Sequence, residues 1–130
     1  MPISLDSTLG FYTRALTVFE QRAEILASNL ANADTPGYKA RDVDFKAALS
    51  QAGQGVLPLK ITSPRQIQPV SSAGDAPLLY RVPYQPSLDG NTVETQMDES
   101  RFAQNALRYQ AALTFLTARI KGLQTAITGS

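Results

Sequence analysis

The chain has no cysteine and no histidine among its 130 residues. The first absence excludes disulfides and thiol chemistry. The second removes the commonest general base and the commonest metal ligand. A basic cluster is missing too. Twelve Lys and Arg are scattered among eleven Asp and Glu, for a net charge of +1, which argues against a nucleic-acid partner. No apolar run approaches the roughly 20 residues that a membrane-spanning helix needs. The opening MPISLDSTLGFYTRAL has neither the basic start nor the continuous apolar stretch of a secretory leader. The expectation is a chain that stays in the cytosol or leaves by a route that cleaves no leader.

What is present sits at the two ends. Leu9, Tyr12, Leu16, Phe19, Ala23, Leu26 and Leu30 recur at alternating steps of three and four. Phe102, Ala106, Tyr109, Leu113, Leu116, Ile120, Leu123 and Ile127 do the same. Such spacing draws an apolar seam down one side of a helix. From Leu9 to Leu30 a helix is roughly 32 Å long, and from Phe102 to Ile127 roughly 38 Å. These lengths suit side-by-side packing. The fold expected is mainly α, with long N- and C-terminal helices packed as an antiparallel coiled coil. An irregular Pro/Gly-rich middle with short β-hairpins joins them. The chain is one domain's worth of residues, divided into a first helix with its turn (1–37), a middle segment (38–91) and a second helix (92–130).

The first helix is expected from about Leu5–Thr8 to Asn32, with Asp6, Ser7 and Thr8 as competent caps. Asn29 and Asn32 favour a frayed last turn, where their amides can donate to backbone carbonyls. Pro36 disfavours helical geometry at Thr35, and Pro36-Gly37 suits the centre of a type II turn. Tyr38 can then lay its ring on a helix and reach a polar group with its hydroxyl. A short helix is expected at 45–51, with Asp42 and Asp44 as candidate caps. Residues 53–91 hold six prolines and four glycines, with β-prone pieces at 56–59, 60–62 and 78–82. Full disorder there is the rival reading. Thr92 or Thr95 can cap the second long helix. Glu94, Asp98 and Glu99 early and Arg119 and Lys121 late favour its dipole.

Each long helix has a second apolar line, Phe11, Ala15, Val18 and Ile25 on the first and Leu107, Ala111, Phe115, Ala118 and Gly122 on the second. One partner helix cannot bury so wide a surface. Either residues 40–90 cover it within one molecule, or other copies do. No catalytic, metal-binding or cofactor-binding set stands out. Asp34, Asp42 and Asp44 lie close together, so a small periplasmic cell-wall hydrolase is one alternative, since paired carboxylates do that chemistry. Nearby acids are more often caps and solvated turn residues. A coiled-coil adaptor, or a membrane-surface helix lacking the usual basic face, is another.

Residues 26–45 carry a resemblance. Asn29-Leu30-Ala31-Asn32 followed by Thr35-Pro36-Gly37-Tyr38 resembles the signature of the bacterial flagellar rod and hook axial proteins. The continuation through Lys39-Ala40-Arg41-Asp42-Val43-Asp44-Phe45 resembles the cell-proximal rod subunits among them. So does the C-terminal part, from Asp89-Gly90-Asn91-Thr92-Val93 through Phe102-Ala103-Gln104-Asn105-Ala106-Leu107-Arg108-Tyr109-Gln110-Ala111. The resemblance implies a structural, non-enzymatic subunit of the basal-body rod. Such subunits self-assemble into a helical tube that crosses the periplasm, transmits torque for motility and surrounds the export channel. It implies passage through the flagellar type III export apparatus without a cleaved signal peptide. The implied neighbours are further copies of itself, the rod-base protein FliE, and FlgC and other rod proteins, with no nucleic acid and no membrane insertion. A terminal helix with an incomplete core of its own should stay loose before assembly and order on joining.

Overall fold

A computed structural model describes residues 5–53 and 76–129. The elements, in chain order, are α1 (Leu5–Ala31), β1 (Arg41–Val43), α2 (Phe45–Gly53), β2 (Leu78–Tyr80) and α3 (Thr95–Thr128). The expected pieces at 56–59 and 60–62 lie outside the described residues.

α1 stops where the local chemistry stops it. Tyr38 N–H donates to Thr35 O at 3.3 Å across Pro36-Gly37, and Gly37 takes φ 72°, as the third position of a type II turn requires. α2 begins at Phe45 because Asp44 caps it, its Oδ1 accepting the Ala47 N–H at 3.0 Å. α3 is capped differently from expectation. Its N-cap is Glu94, which makes no side-chain capping bond. Thr92 Oγ1 is occupied elsewhere, accepting the Ala40 N–H at 2.7 Å. A tertiary partner has outcompeted the local one. At the far end Gly129, at φ 74°, closes the helix by donating to Thr125 O at 2.8 Å. α3 continues to Thr128, so Arg119 and Lys121 precede its last turn, and the dipole effect falls off within that turn.

α1 packs against α3. Ala15 and Phe19 pack with Ala112, Phe19 O accepts from Asn105, and Tyr109 donates to Glu20. β1 and β2 form a two-stranded antiparallel sheet, with Arg41 opposite Tyr80 and Val43 opposite Leu78. This strand pair brackets α2, so it is not a hairpin between adjacent runs. It leans on α1 and closes the first apolar cluster, Val18, Val43, Ala48 and Ala76, against Ile25 and Phe45. Phe45 also reaches the second cluster and stacks on Phe19 at a centroid distance of 4.9 Å. Such an aromatic pair adds about 0.5–1.5 kcal/mol beyond its burial.

Among the described residues the core is thin in large apolar side chains: the largest that are fully buried are Leu26, Asn29, Asn105 and Asp98, and three of these four are polar. Buried polar groups stabilise only when bonded, so the fold depends on where their hydrogen bonds go.

Candidate functional site: a polar junction between exposed apolar faces

Five charged side chains form a line from α1 through β1 and the residue after β2 to α3. Arg22 on α1 grips Asp42 on β1 with two hydrogen bonds, Nε to Oδ1 and Nη2 to Oδ2, both 2.9 Å. Arg81, just past β2, donates Nη2 to Asp42 Oδ2 at 2.6 Å and Nη1 to Asp98 Oδ1 on α3. Arg101, one turn further, also donates to Asp98 Oδ1, at 3.2 Å. Asp98 is fully buried and sits in the first turn of α3, where the helix N-terminus favours negative charge. Its Oδ2 has no partner among the described residues.

Asparagines do the rest. Asn29 donates Nδ2 to Arg41 O at 2.7 Å, and its Oδ1 accepts the Arg41 N–H at 3.1 Å and the Tyr38 hydroxyl at 3.4 Å. Its amide thus pairs with one residue of β1 as a neighbouring strand would. Asn32 donates to Ser28 O at 2.8 Å. Asn91 donates to the carbonyls of Asn32, Ala33 and Thr35 at 2.7–3.0 Å, satisfying orphan acceptors at the end of α1. Gly37 N–H to Asp89 O, Thr92 N–H to Tyr38 O and Lys39 Nζ to Gly90 O complete the tie between the Pro-Gly corner and the approach to α3.

Burial pushes the Asp42 carboxyl up, but hydrogen bonds from Arg22 and Arg81, the charge of Arg22 and the Val43 N–H outweigh it and hold the carboxyl below its ordinary 3.8. The same carboxylates keep Arg81 protonated despite its burial. The sign follows by linkage. A carboxyl depressed in the folded state contributes stability that is complete above 3.8 and is lost as pH falls through the lower folded value. Thermal melts from pH 6 down to about pH 2 should show stability declining below about pH 4, and Asp42→Asn should flatten that decline. An equally steep decline in the variant would remove Asp42 from the acid response.

The remaining residues singled out from sequence fall into three groups. Phe19 and Leu26 are buried. Leu9, Tyr12, Leu16, Leu30, Tyr109, Leu116 and Leu123 are half-buried. Phe102, Leu113, Ile120 and Ile127 are exposed. On α3 the buried line is Asp98, Asn105 and Ala112, spaced by seven. An apolar count overlooks it because it passes through polar side chains. Asn105 can enter because its Nδ2 donates to Phe19 O at 2.8 Å, although its Oδ1 has no partner among the described residues. In the signature segment, Ala31, Thr35, Pro36 and Gly37 lie on the surface, and Tyr38 is half-buried.

Arg22, Arg81, Asp98, Asn91 and Asn105 were not singled out as site residues from sequence. The available signals were the seven-residue spacing of Asp98, Asn105 and Ala112, and one Arg amid the apolar run 78–82. Of the three acids weighed for hydrolysis, Asp34 is exposed in the turn, Asp42 is tied to two arginines and Asp44 caps α2. A cleft of about 340 Å³ lies far from them, between the outer ends of α1 and α3, and is lined by Leu9, Ile120, Leu123, Gln124, Ile127 and Thr128. Among the described residues no group of acids could hold a metal ion, and no helix is long and apolar enough to cross a membrane.

Known proteins are similar to this sequence over nearly its whole length. The family model described as flagella basal body rod protein matches residues 10–39, most of α1 and the Pro-Gly corner. The flagellar basal body rod protein FlgB of Salmonella typhimurium is 47% identical, with 96% of each chain covered. That of Proteus mirabilis is 44% identical over 95% of each chain. That of Cereibacter sphaeroides is 49% identical over 93% of this chain and 94% of its own.

Proposed function

Because this chain belongs to the FlgB family of flagellar basal body rod proteins and is a structural subunit of the rod in the flagellar basal body, we propose that it builds the proximal part of that rod. In this reading α1 and α3 form an antiparallel coiled coil, copies of which pack around the export channel into a helical tube that carries torque. The tube stands in the periplasm. The subunit reaches it through the flagellar type III export apparatus, without a cleaved signal peptide. Its neighbours are its own copies, FliE and FlgC.

One observation carries the proposal. In a chain similar from end to end to rod subunits, the apolar side chains Phe102, Leu107, Leu113, Phe115, Ile120 and Ile127 stand exposed along α3. Phe102, Leu113, Ile120 and Ile127 share one side of the helix by their spacing, and an uncovered apolar stripe of that kind marks contact with other molecules. The seam and motif residues named from sequence divide accordingly: those facing α1 hold the subunit, and the uncovered ones hold its neighbours. The Pro36-Gly37 corner is a stiff elbow between the long helix and the outer segment, with one dihedral set by Pro and the next open only to Gly.

The test is reconstruction of the rod in a strain whose own copy is deleted. Expressed there, the chain should restore swimming. Basal bodies purified from those cells should show it at the rod base, with both long helices facing the channel. Normal swimming with basal bodies that lack the chain would defeat the proposal.

A further inference from the structure

Charge is sorted along α3 and the segment that leads into it. From Arg101 to the end, α3 carries Arg101, Arg108, Arg119 and Lys121 and no acid. Residues 82–100 carry Asp89, Glu94, Asp98 and Glu99 and no base. Some of these are used internally: Arg101 and Asp98 belong to the buried line, and Glu94 accepts the Tyr84 N–H. Arg108, Arg119 and Lys121 on the distal half of α3 are exposed, as are Asp34, Asp89 and Glu99 at the junction end. Among the described residues none of these six forms an ion pair. The helix dipole does not account for Arg119 and Lys121, which precede the last turn.

Each pole also presents uncovered apolar side chains. At the acidic pole Tyr84 is 80% exposed and Val82 89% exposed, and Leu88 is fully exposed. At the basic pole Phe115 is 61% exposed and Ile127 82%. Exposed Lys39 and Arg41 also stand at the junction end, but residues 82–99 themselves and the distal half of α3 are opposite in charge, so these two stretches are complementary to each other and not to themselves.

We propose that the basic distal half of α3 docks on the acidic 82–99 edge of a second copy of this chain, displaced along the long axis. This rests on the rod-subunit reading and adds to it the identity and register of one contact. Unlike surfaces meeting in this way form a heterologous interface that repeats without closing. Apolar contact holds the copies together, and the charges decide which end follows which and reject the reversed order.

The test uses the purified full-length chain and its exposed charges. In low salt the mass seen by light scattering should rise with concentration beyond that of two copies. Raising the ionic strength from about 0.05 M to about 0.5 M, which shortens the screening length several-fold, should weaken association at least about tenfold. One variant reverses the basic pole (Arg119→Glu with Lys121→Glu) and another the acidic pole (Asp34→Lys with Glu99→Lys). Each alone should associate about tenfold or more weakly, while their equimolar mixture should recover to within about threefold of the unaltered chain. Because the chain has no cysteine, Leu88→Cys and Ile120→Cys report the contact directly. Disulfide-linked pairs should form in the mixture and not in either variant alone.

Single-pole variants that associate like the unaltered chain, a mixture no better than its components, a mass that stops at two copies, or cross-links equally frequent in each cysteine variant alone would each overturn the docking. Presence of the unaltered chain in basal bodies is scored separately. Failure of the charge tests with that presence intact refutes the docking alone, and absence from basal bodies refutes the rod reading as well.

Discussion

Replacing Arg81 with Met should destabilise the fold by about 3–5 kcal/mol. Arg81 is the only side chain that bridges Asp42 on β1 and Asp98 on α3 among the described ion pairs. Met fills similar volume without charge, so the expected loss is not one of packing. Asp98 would keep only Arg101, at 3.2 Å, as a charged partner while remaining fully buried. Removing one member of a buried ion pair costs about 3–5 kcal/mol, because the other charge stays desolvated. Whole domains are stable by only about 5–15 kcal/mol. Urea unfolding followed by circular dichroism measures the effect directly. A companion variant, Arg81→Met with Asp98→Asn, removes the stranded charge and should regain part of the loss. A melting curve unchanged by Arg81→Met would mean that the line of charges contributes nothing to the fold.

The second large effect separates folding from assembly. Leu26 is fully buried and Leu113 is 38% exposed. Leu26→Asp places an unpaired carboxylate in the core, with an expected cost above about 4 kcal/mol. It should abolish both the cooperative melt and swimming. Leu113→Asp sets its charge at the edge of solvent. It should leave the isolated chain within about 1 kcal/mol of the original, as surface substitutions do, and still prevent incorporation into the rod. Swimming by cells that carry Leu113→Asp would remove that face of α3 from the assembly contacts. The comparison matters because assembly defects and folding defects look alike in a motility assay and differ in a melt of the purified chain.

The residues on either side of each helix boundary show what local chemistry makes legible. Thr35-Pro36-Gly37 stops α1 within a residue of its expected end, and Asp44 starts α2 at Phe45, because both signals act over three or four residues. Strand 78–80 is visible as an apolar, β-prone run, but its partner is not. Arg41–Val43 is three residues long, too short for alternation to declare a face or a register. Thr92 was a sound cap by its chemistry and was taken by Ala40 from another part of the chain. Asp98 and Asn105 lie on the inner line of α3 although a hydropathy pattern places them outside. Their burial depends on Arg81 and on the Phe19 carbonyl, whose positions only the folded chain defines. What escapes a reading of the sequence is therefore long-range polar pairing, and most of the junction is built from it.

A centre in which Asn29, Asn105 and Asp98 are buried beside Leu26, Phe19 and several alanines has a thermal consequence. Exposing apolar surface raises the heat capacity on unfolding, and exposing polar surface lowers it. Melting this subunit should therefore bring a smaller heat-capacity increment than an oily domain of equal size, and the curve of its stability against temperature should be correspondingly flat. A joint with that property grips almost equally hard in a cold cell and in a warm one.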